Sequence, residues 1–437
     1  LYAPGFPFKT SWKDQKVLRQ KLVFITGSLL LVLVALYVGV AVPLGTTAAR
    51  TDFDPDALPY SAPGPHPVGT RDLAMAGETP LQMTIWYPAL PKQGRKTQTR
   101  YPYAIKMGAP LGKVTVATFA GRAIRDAPPD RSADAYPLVI LSPGFSIGAS
   151  TYAWLAEHLA SYGFVVIAPE HQEHMDSELN GLWQAAITRP QDIATVLAYI
   201  DEQVGSGRPL EGLIDTEMVA VVGHSYGGYT ALAAGGAQID TEGFEALCTA
   251  AYEQDDPNAW LCDELLPHLE DMAALAGLES IPKGLWQQAW SDPRVGAIVS
   301  LAGDALFFGQ EGLAEIRVPV MAIGGTLDND SPYLWGTDPT YEHASSAEKV
   351  RVALLDAEHM IFTGPCEAIP LFLRLVSGEF CSDSGWDRRY AHRLVKHFTT
   401  AFLLDLLKDD RSAHQALLPD AARFAGIEYK TTIRRPY

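Results

Sequence analysis

The segment with the clearest chemical potential is Gly223-His224-Ser225-Tyr226-Gly227-Gly228. An apolar run, Met218–Val222, precedes it and a small-residue stretch follows, so it reads as a strand, a sharp turn and a helix start. In that setting a G-x-S-x-G turn holds the serine in strained backbone and lifts its hydroxyl above the sheet edge. Side chains at the flanking glycine positions would clash. The helix start adds backbone N–H groups and a positive dipole end beneath a developing oxyanion.

A serine hydroxyl is a weak nucleophile and needs a base. For a serine on such a turn, an acid and then a histidine follow along the chain. His359, in Ala357-Glu358-His359-Met360, comes directly after the apolar run Val350–Leu355 and is the expected base. His224 is adjacent to Ser225, but a turn aims its ring elsewhere, so it is expected to pack under the turn. His343, His392, His397 and His414 read as surface or core residues.

The acid must accept the imidazole N–H and stabilise the imidazolium. Asp328, in Gly325-Thr326-Leu327-Asp328-Asn329-Asp330-Ser331-Pro332, follows the run Val320–Ile323; Asp304 follows the run before it. The tight turn after a strand favours Asp328, and Asp304 is the alternative. Asp330 is a weaker option and suits a turn. The expected oxyanion donors are the backbone N–H of Tyr226 and that of Phe145, in Ser142-Pro143-Gly144-Phe145, where Gly144 allows close approach. Glu170 and His171 follow a strand edge near this site, and Arg189 and Asp192 read as an ion pair at a helix start.

Elements at matching intervals must carry these loops. Leu81–Tyr87, Leu138–Leu141, Phe164–Ala168, Met218–Val222, Val295–Leu301, Val320–Ile323 and Val350–Leu355 read as strands. Between them, Trp154, Leu155, His158, Leu159 and Tyr162 define one helix, with Ser150 as a cap and Gly163 as its end. Ile193, Val196, Leu197 and Ile200 define another. Fully apolar strands alternating with amphipathic helices imply a mostly parallel sheet covered on both faces, an α/β protein. From about 236 to 293 the alternation stops, and a helical insertion is expected, with a cap over the site as its reading. Residues 91–136 carry no clear pattern.

The chain looks like an α/β-hydrolase of the group that contains platelet-activating-factor acetylhydrolases and bacterial predicted dienelactone hydrolases. The likeness spans roughly residues 68–410. It rests on the Ser142–Phe145 loop, which also resembles bacterial cutinase-type polyester hydrolases, on Leu159-Ala160-Ser161-Tyr162-Gly163-Phe164-Val165-Val166, on Glu170-His171 and on Gly223–Gly228. Asp292-Pro293-Arg294-Val295, the Gly325–Pro332 turn and the tail from Cys366 through Trp386-Asp387 to Ala401-Phe402-Leu403 add to it. The resemblance implies a Ser/His/Asp carboxylic-ester hydrolase that uses no metal or other cofactor. Members differ in the acid: the cutinase-like pattern maps it to Asp328 and the secreted acetylhydrolase pattern to Asp304. A true dienelactone hydrolase has cysteine at the turn, which Ser225 argues against. An acyltransferase or a non-catalytic accessory subunit of a membrane complex are alternatives on the same fold.

Composition bounds the rest. The 437 residues carry 34 Lys+Arg and 51 Asp+Glu, a net charge of −17, which argues against nucleic acid as a partner; the partner that the resemblance implies is a small-molecule or lipid ester. No charged residue occurs between Leu22 and Ala49. A helix over Leu22–Val42 would span roughly 30 Å, the thickness of the hydrocarbon layer. A signal-peptide core is usually shorter, about 7–15 residues, so a retained anchor is expected over cleavage near Ala48–Ala49. Lys9, Lys13, Lys16, Arg19 and Lys21 precede the span, and Asp52, Asp54 and Asp56 follow it. That asymmetry puts residues 1–21 in the cytoplasm and the bulk of the chain outside. Residues 43–67, with Pro55, Pro59, Pro63, Pro65 and Pro67, read as a linker, and 68–437 as the catalytic domain. The four cysteines fall into two local pairs, and disulfides Cys248–Cys262 and Cys366–Cys381 are expected in an oxidising compartment.

Overall fold

The computed structural model describes residues 58–75, 81–90, 99–107, 112–132, 135–175, 181–287, 290–370, 381, 383 and 385–434. All belong to the second of the two units into which the chain divides, Arg50–Tyr437. The Leu22–Val42 span lies outside the described residues. Among the described residues no helix is long and apolar enough to cross a membrane.

The strands are β1 (Val68–Met75), β2 (Leu81–Pro88), β3 (Arg100–Met107), β4 (Gly112–Ala120), β5 (Ile124–Arg125), β6 (Tyr136–Ser142), β7 (Val165–Glu170), β8 (Ile214–His224), β9 (Val295–Leu301), β10 (Val320–Gly325), β11 (Lys349–Leu354) and β12 (Ile427–Thr431). Among the described residues, ten of them form one sheet in the order β12-β11-β10-β9-β8-β6-β7-β2-β1-β5, and β3 pairs with β4 apart from it. The neighbours from β7 through β6, β8, β9 and β10 to β11 run parallel. Antiparallel β2 and β12 flank this block.

The centre is parallel because its strands have no polar face. Every residue of β6 is buried. Successive side chains on a strand point to opposite faces, and each face has its own core. Leu138, Ile140, Val219 and Val221 pack on one side, Val139, Leu141, Ala220 and Val222 on the other. The second face is covered by α1 (Ala153–Ser161) and α7 (Arg388–Lys408). The first is covered by α2 (Leu182–Gln203), by α3 (Tyr226–Ala234), and by the insertion helices α4 (Thr241–Glu253), α5 (Trp260–Leu265) and α6 (Leu269–Leu275).

The insertion is helical and shares the core of α2 and α3 through Phe244, Leu261, Leu265, Met272 and Trp286. A disulfide joins Cys248 on α4 to Cys262 on α5, and a second joins Cys366 to Cys381. Two details differ from the sequence reading. Ser150 caps no helix; it lies inside a 3-10 turn, Ala149–Tyr152, that leads into α1. Helix α2 begins at Leu182 and runs straight through Pro190. Proline lacks the N–H that would meet the carbonyl four residues back. Here the Tyr229 hydroxyl donates to Ala186 O at 2.8 Å and supplies the missing bond.

Candidate active site

The carboxyl ends of β6, β8, β9, β10 and β11 lie side by side on one sheet edge. Their loops carry, in that spatial order, Phe145, Ser225, Asp304, Asp328 and His359. Open α/β sheets present functional loops at this edge.

Ser225 sits between β8 and α3 with φ 57° and ψ −126°. A positive φ in a non-glycine residue is strained and persists only where the surroundings impose it. The imposition is visible. A Cβ on Gly223 would lie 2.0 Å from Gly227 O, and one on Gly227 would lie 2.0 Å from Ser142 O. The Ser225 N–H donates to Leu301 O at 2.9 Å, which ties the turn to the end of β9. Ser225 is partly exposed whereas its neighbours are buried. Its hydroxyl has no hydrogen-bond partner among the described residues. Such bonds are often loose in unliganded sites.

His359 opens a 3-10 turn after β11, and its Nδ1 lies 2.7 Å from Asp328 Oδ2. Both side chains are buried. The other Asp328 oxygen, Oδ1, accepts the N–H groups of Asp330 at 2.9 Å and Ser331 at 2.8 Å. Asp330 therefore serves the turn through its backbone. A carboxylate facing Nδ1 places the imidazole proton there and leaves Nε2 as the acceptor. Burial pushes the His359 imidazole down, but the Asp328 charge and hydrogen bond, with Asp330 and Asp304, outweigh it and hold it above its ordinary 6.5.

Asp304 does not bond to His359. It is buried, and its Oδ1 has no hydrogen-bond partner among the described residues. Burial pushes its carboxyl up to about 7 against the opposing pull of His359. Of the two acids read from the sequence, the structure joins Asp328 to the imidazole and leaves Asp304 beside them.

His224 packs beneath the turn. Its Nε2 donates to His359 O at 3.1 Å, so its Nδ1 accepts from the Tyr152 hydroxyl at 2.8 Å. Tyr152 in turn accepts the Gly144 N–H at 3.1 Å. Burial and the neighbouring His359 keep the His224 imidazole well below 6.5, hence neutral. The Phe145 and Tyr226 rings meet edge to face, with centroids 5.9 Å apart. Neither backbone N–H has an acceptor among the described residues.

Arg189 and Asp192 do not pair with each other. Arg189 pairs with Glu173 and Asp192 with His171. His171 Nδ1 lies 2.9 Å from Asp192 Oδ2, and its Nε2 lies 2.8 Å from Ser142 Oγ. This is a serine–histidine–aspartate chain bonded throughout, wholly buried behind the Phe145 loop. Glu170 accepts the Ala149 N–H at 3.0 Å and supports the same loop. No sequence signal marked Glu173 or Tyr152, because each acts through a partner far along the chain.

The family model for chlorophyllase matches residues 121–250. That segment runs from before β6 into α4 and includes the Phe145 loop, Arg189 and Ser225. Over 98 residues the chain is 33% identical to a cutinase, Est1, of Thermobifida alba, covering 22% of this chain and 30% of that protein. A cutinase of Thermobifida fusca is 32% identical over 98 residues, 22% of this chain and 28% of the relative. A bis(hydroxyethyl) terephthalate hydrolase of Streptomyces coelicolor is 30% identical over 130 residues, 30% of this chain and 37% of the relative. The chain thus spans about a third of the length of these curated relatives.

Proposed function

We propose that the protein is a serine carboxylic-ester hydrolase. The observation that carries this reading is the His359–Asp328 pair at 2.7 Å on the same sheet edge as a strained, partly exposed Ser225. Ser225 Oγ attacks the acyl carbon while His359 Nε2 takes its proton. The tetrahedral oxyanion rests on the N–H groups of Phe145 and Tyr226. His359 returns the proton to the departing alkoxide, and water repeats the sequence on the acyl-enzyme. The similarity to named cutinases and a terephthalate hydrolase supports ester substrates. Exposed Leu327 and Leu334 near Asp328 offer apolar surface suited to the acyl chain of a lipid or small ester. The likeness to platelet-activating-factor acetylhydrolases belongs to this same reading.

The location is part of the proposal. The uncharged Leu22–Val42 span with its basic leading flank favours a single membrane anchor with the catalytic domain outside the cytoplasm. Two disulfides suit an oxidising compartment. Labelling of the full chain with a fluorophosphonate, followed by peptide mapping and turnover of a p-nitrophenyl ester series, tests the chemistry. Modification at Ser225 with ester turnover is expected. An unlabelled chain without turnover removes the hydrolase reading and leaves a non-catalytic subunit. Protease accessibility in intact cells tests the location.

A further inference from the structure

Helix α2 reaches the residues of both proposed oxyanion donors from behind, through Arg189 and Leu182. Arg189 is buried, with 1% of its surface exposed. Its Nη1 donates to Pro143 O at 2.6 Å and its Nη2 to Gly144 O at 3.0 Å. Its Nε donates to Glu173 Oε1 at 3.0 Å, and Nη2 contacts the same oxygen. The guanidinium carbon lies 5.9 Å from the centroid of the Tyr226 ring. The Tyr226 hydroxyl donates to Leu182 O, at the first residue of α2, at 2.8 Å.

A peptide unit is planar and trans, so its C=O and N–H point in opposite directions. The plane between Pro143 and Gly144 is bound at both ends, by Arg189 at the carbonyl and by Tyr152 at the N–H. The next plane holds Gly144 O and the Phe145 N–H. Arg189 binds its carbonyl, as does the Ile147 N–H at 3.0 Å. The Phe145 N–H must then point away from the guanidinium, and it is the end left without an acceptor. Were this plane to turn over, a carbonyl lone pair would stand where the oxyanion forms. The planar fork of arginine can span two carbonyls and a carboxylate at once; a lysine ammonium cannot reproduce that geometry.

We propose that Arg189 is a positioning residue of the oxyanion hole, fixing the Gly144–Phe145 peptide so that its N–H is presented to the reacting carbonyl. The inference rests on the ester-hydrolase reading above, and it deepens that reading. The buried Ser142–His171–Asp192 chain braces the same loop from Asp192, one helical turn further along α2.

The test uses the full chain and its Arg189→Lys, Arg189→Met and Glu173→Gln variants, each checked by thermal melting. For each, kcat and KM on a p-nitrophenyl ester are set beside the inhibition constant of an alkyl trifluoromethyl ketone. Ser225 Oγ adds to that ketone carbon, its proton passes to His359, and the carbonyl oxygen becomes an anion in the hole. Loss of one oxyanion donor typically lowers kcat by ~10²–10³. The folded Arg189 variants are expected to lose kcat by about 10² and to weaken ketone inhibition by a similar factor, with KM within about threefold of wild type. Glu173→Gln, which loosens the fork without removing it, should show a smaller loss in both. Wild-type kcat and ketone affinity in a folded Arg189 variant overturn the proposal, as does a loss of kcat with ketone affinity unchanged. If both Arg189 variants fail to fold, wild-type values in Glu173→Gln overturn it. A wild-type chain that neither turns over esters nor reacts with a fluorophosphonate fails at the hydrolase reading itself and takes the clamp with it.

Discussion

The buried serine–histidine–aspartate chain and the proposed catalytic set of the same residue types differ in everything else. Ser142, His171 and Asp192 form a continuous relay with both bonds under 3 Å, and all three are buried. Ser225, His359 and Asp328 make up the proposed one: the imidazole is bound to its acid, while the partly exposed serine hydroxyl has no hydrogen bond among the described residues. Judged by hydrogen bonding alone, the buried relay is the better formed. It has no access for substrate, and Ser142 ends a strand instead of holding a strained turn at a helix start. Reactivity at a serine needs a base, but also a path for the acyl carbon and donors for the oxyanion. The completed relay therefore reads as a brace, and the incomplete one is the reaction centre proposed above.

The largest expected effect separates the two serines. Ser225→Ala should lower ester turnover by ~10⁴–10⁶ and abolish fluorophosphonate labelling. Ser142→Ala should remain labelled at Ser225. Labelling that survives in Ser225→Ala would break the comparison.

The acids come next. Asp328→Asn would favour the wrong imidazole tautomer, an effect of about 10⁴ in the serine-protease precedent. Asp192→Asn acts only through the loop, and its kcat should fall by less than ~10². Steady-state rates of the two folded variants, measured side by side, decide it. Equal losses would mean that the buried relay takes part in proton transfer.

A smaller effect is a displacement of the pH profile. His359 must be neutral to act as base, and its surroundings hold it above 6.5, so the acid limb of kcat/KM should lie above that value. Asp304 is one of the negative charges that raise it. Removing that charge in Asp304→Asn makes the imidazolium less favourable, so the limb should move to lower pH, with kcat within about tenfold of wild type. A collapse of turnover in this variant alone would transfer the acid role to Asp304.

The smallest effect is on stability. Ser142→Ala removes a buried hydrogen bond and leaves His171 Nε2 without its partner, a cost of about 1–3 kcal/mol. Calorimetry should show a melting temperature lower by a few degrees. An unchanged melting temperature would mean that the relay braces nothing.

Much of the fold was open to a reading of local pattern. The parallel strands could be read because each is a short apolar run bounded by turn residues, and β9 keeps the bounds read from its sequence, Val295–Leu301. The stretch 91–136 could not be read, because it holds a two-stranded pair apart from the main sheet, with mixed burial and no single period. The early start of α2 escaped for another reason. A proline in the pattern signals an end, and the Tyr229 hydroxyl, 43 residues along the chain from the Ala186 carbonyl it satisfies, makes that position tolerable.

At the site, the sequence by itself determined residue types, chain order and the turn chemistry. Gly223 is demanded by sterics within the turn itself, where a Cβ would meet Gly227 O, whereas Gly227 and Gly228 are demanded by Ser142 and Gly303, which only the fold brings against them. Tertiary structure alone decided which residue each side chain meets. Asp328 and Asp304 both leave the right sheet edge, and only the packing of β10 against β11 brings the first of them to His359. Arg189 stands three residues from Asp192 on one helix, yet it pairs with Glu173 and grips Pro143 and Gly144, 46 and 45 residues away along the chain. Charge and hydrogen bonding are satisfied by whichever partner the fold brings within about 3 Å, and that distance is set by how the sheet and helices stack, which no local run of residues encodes.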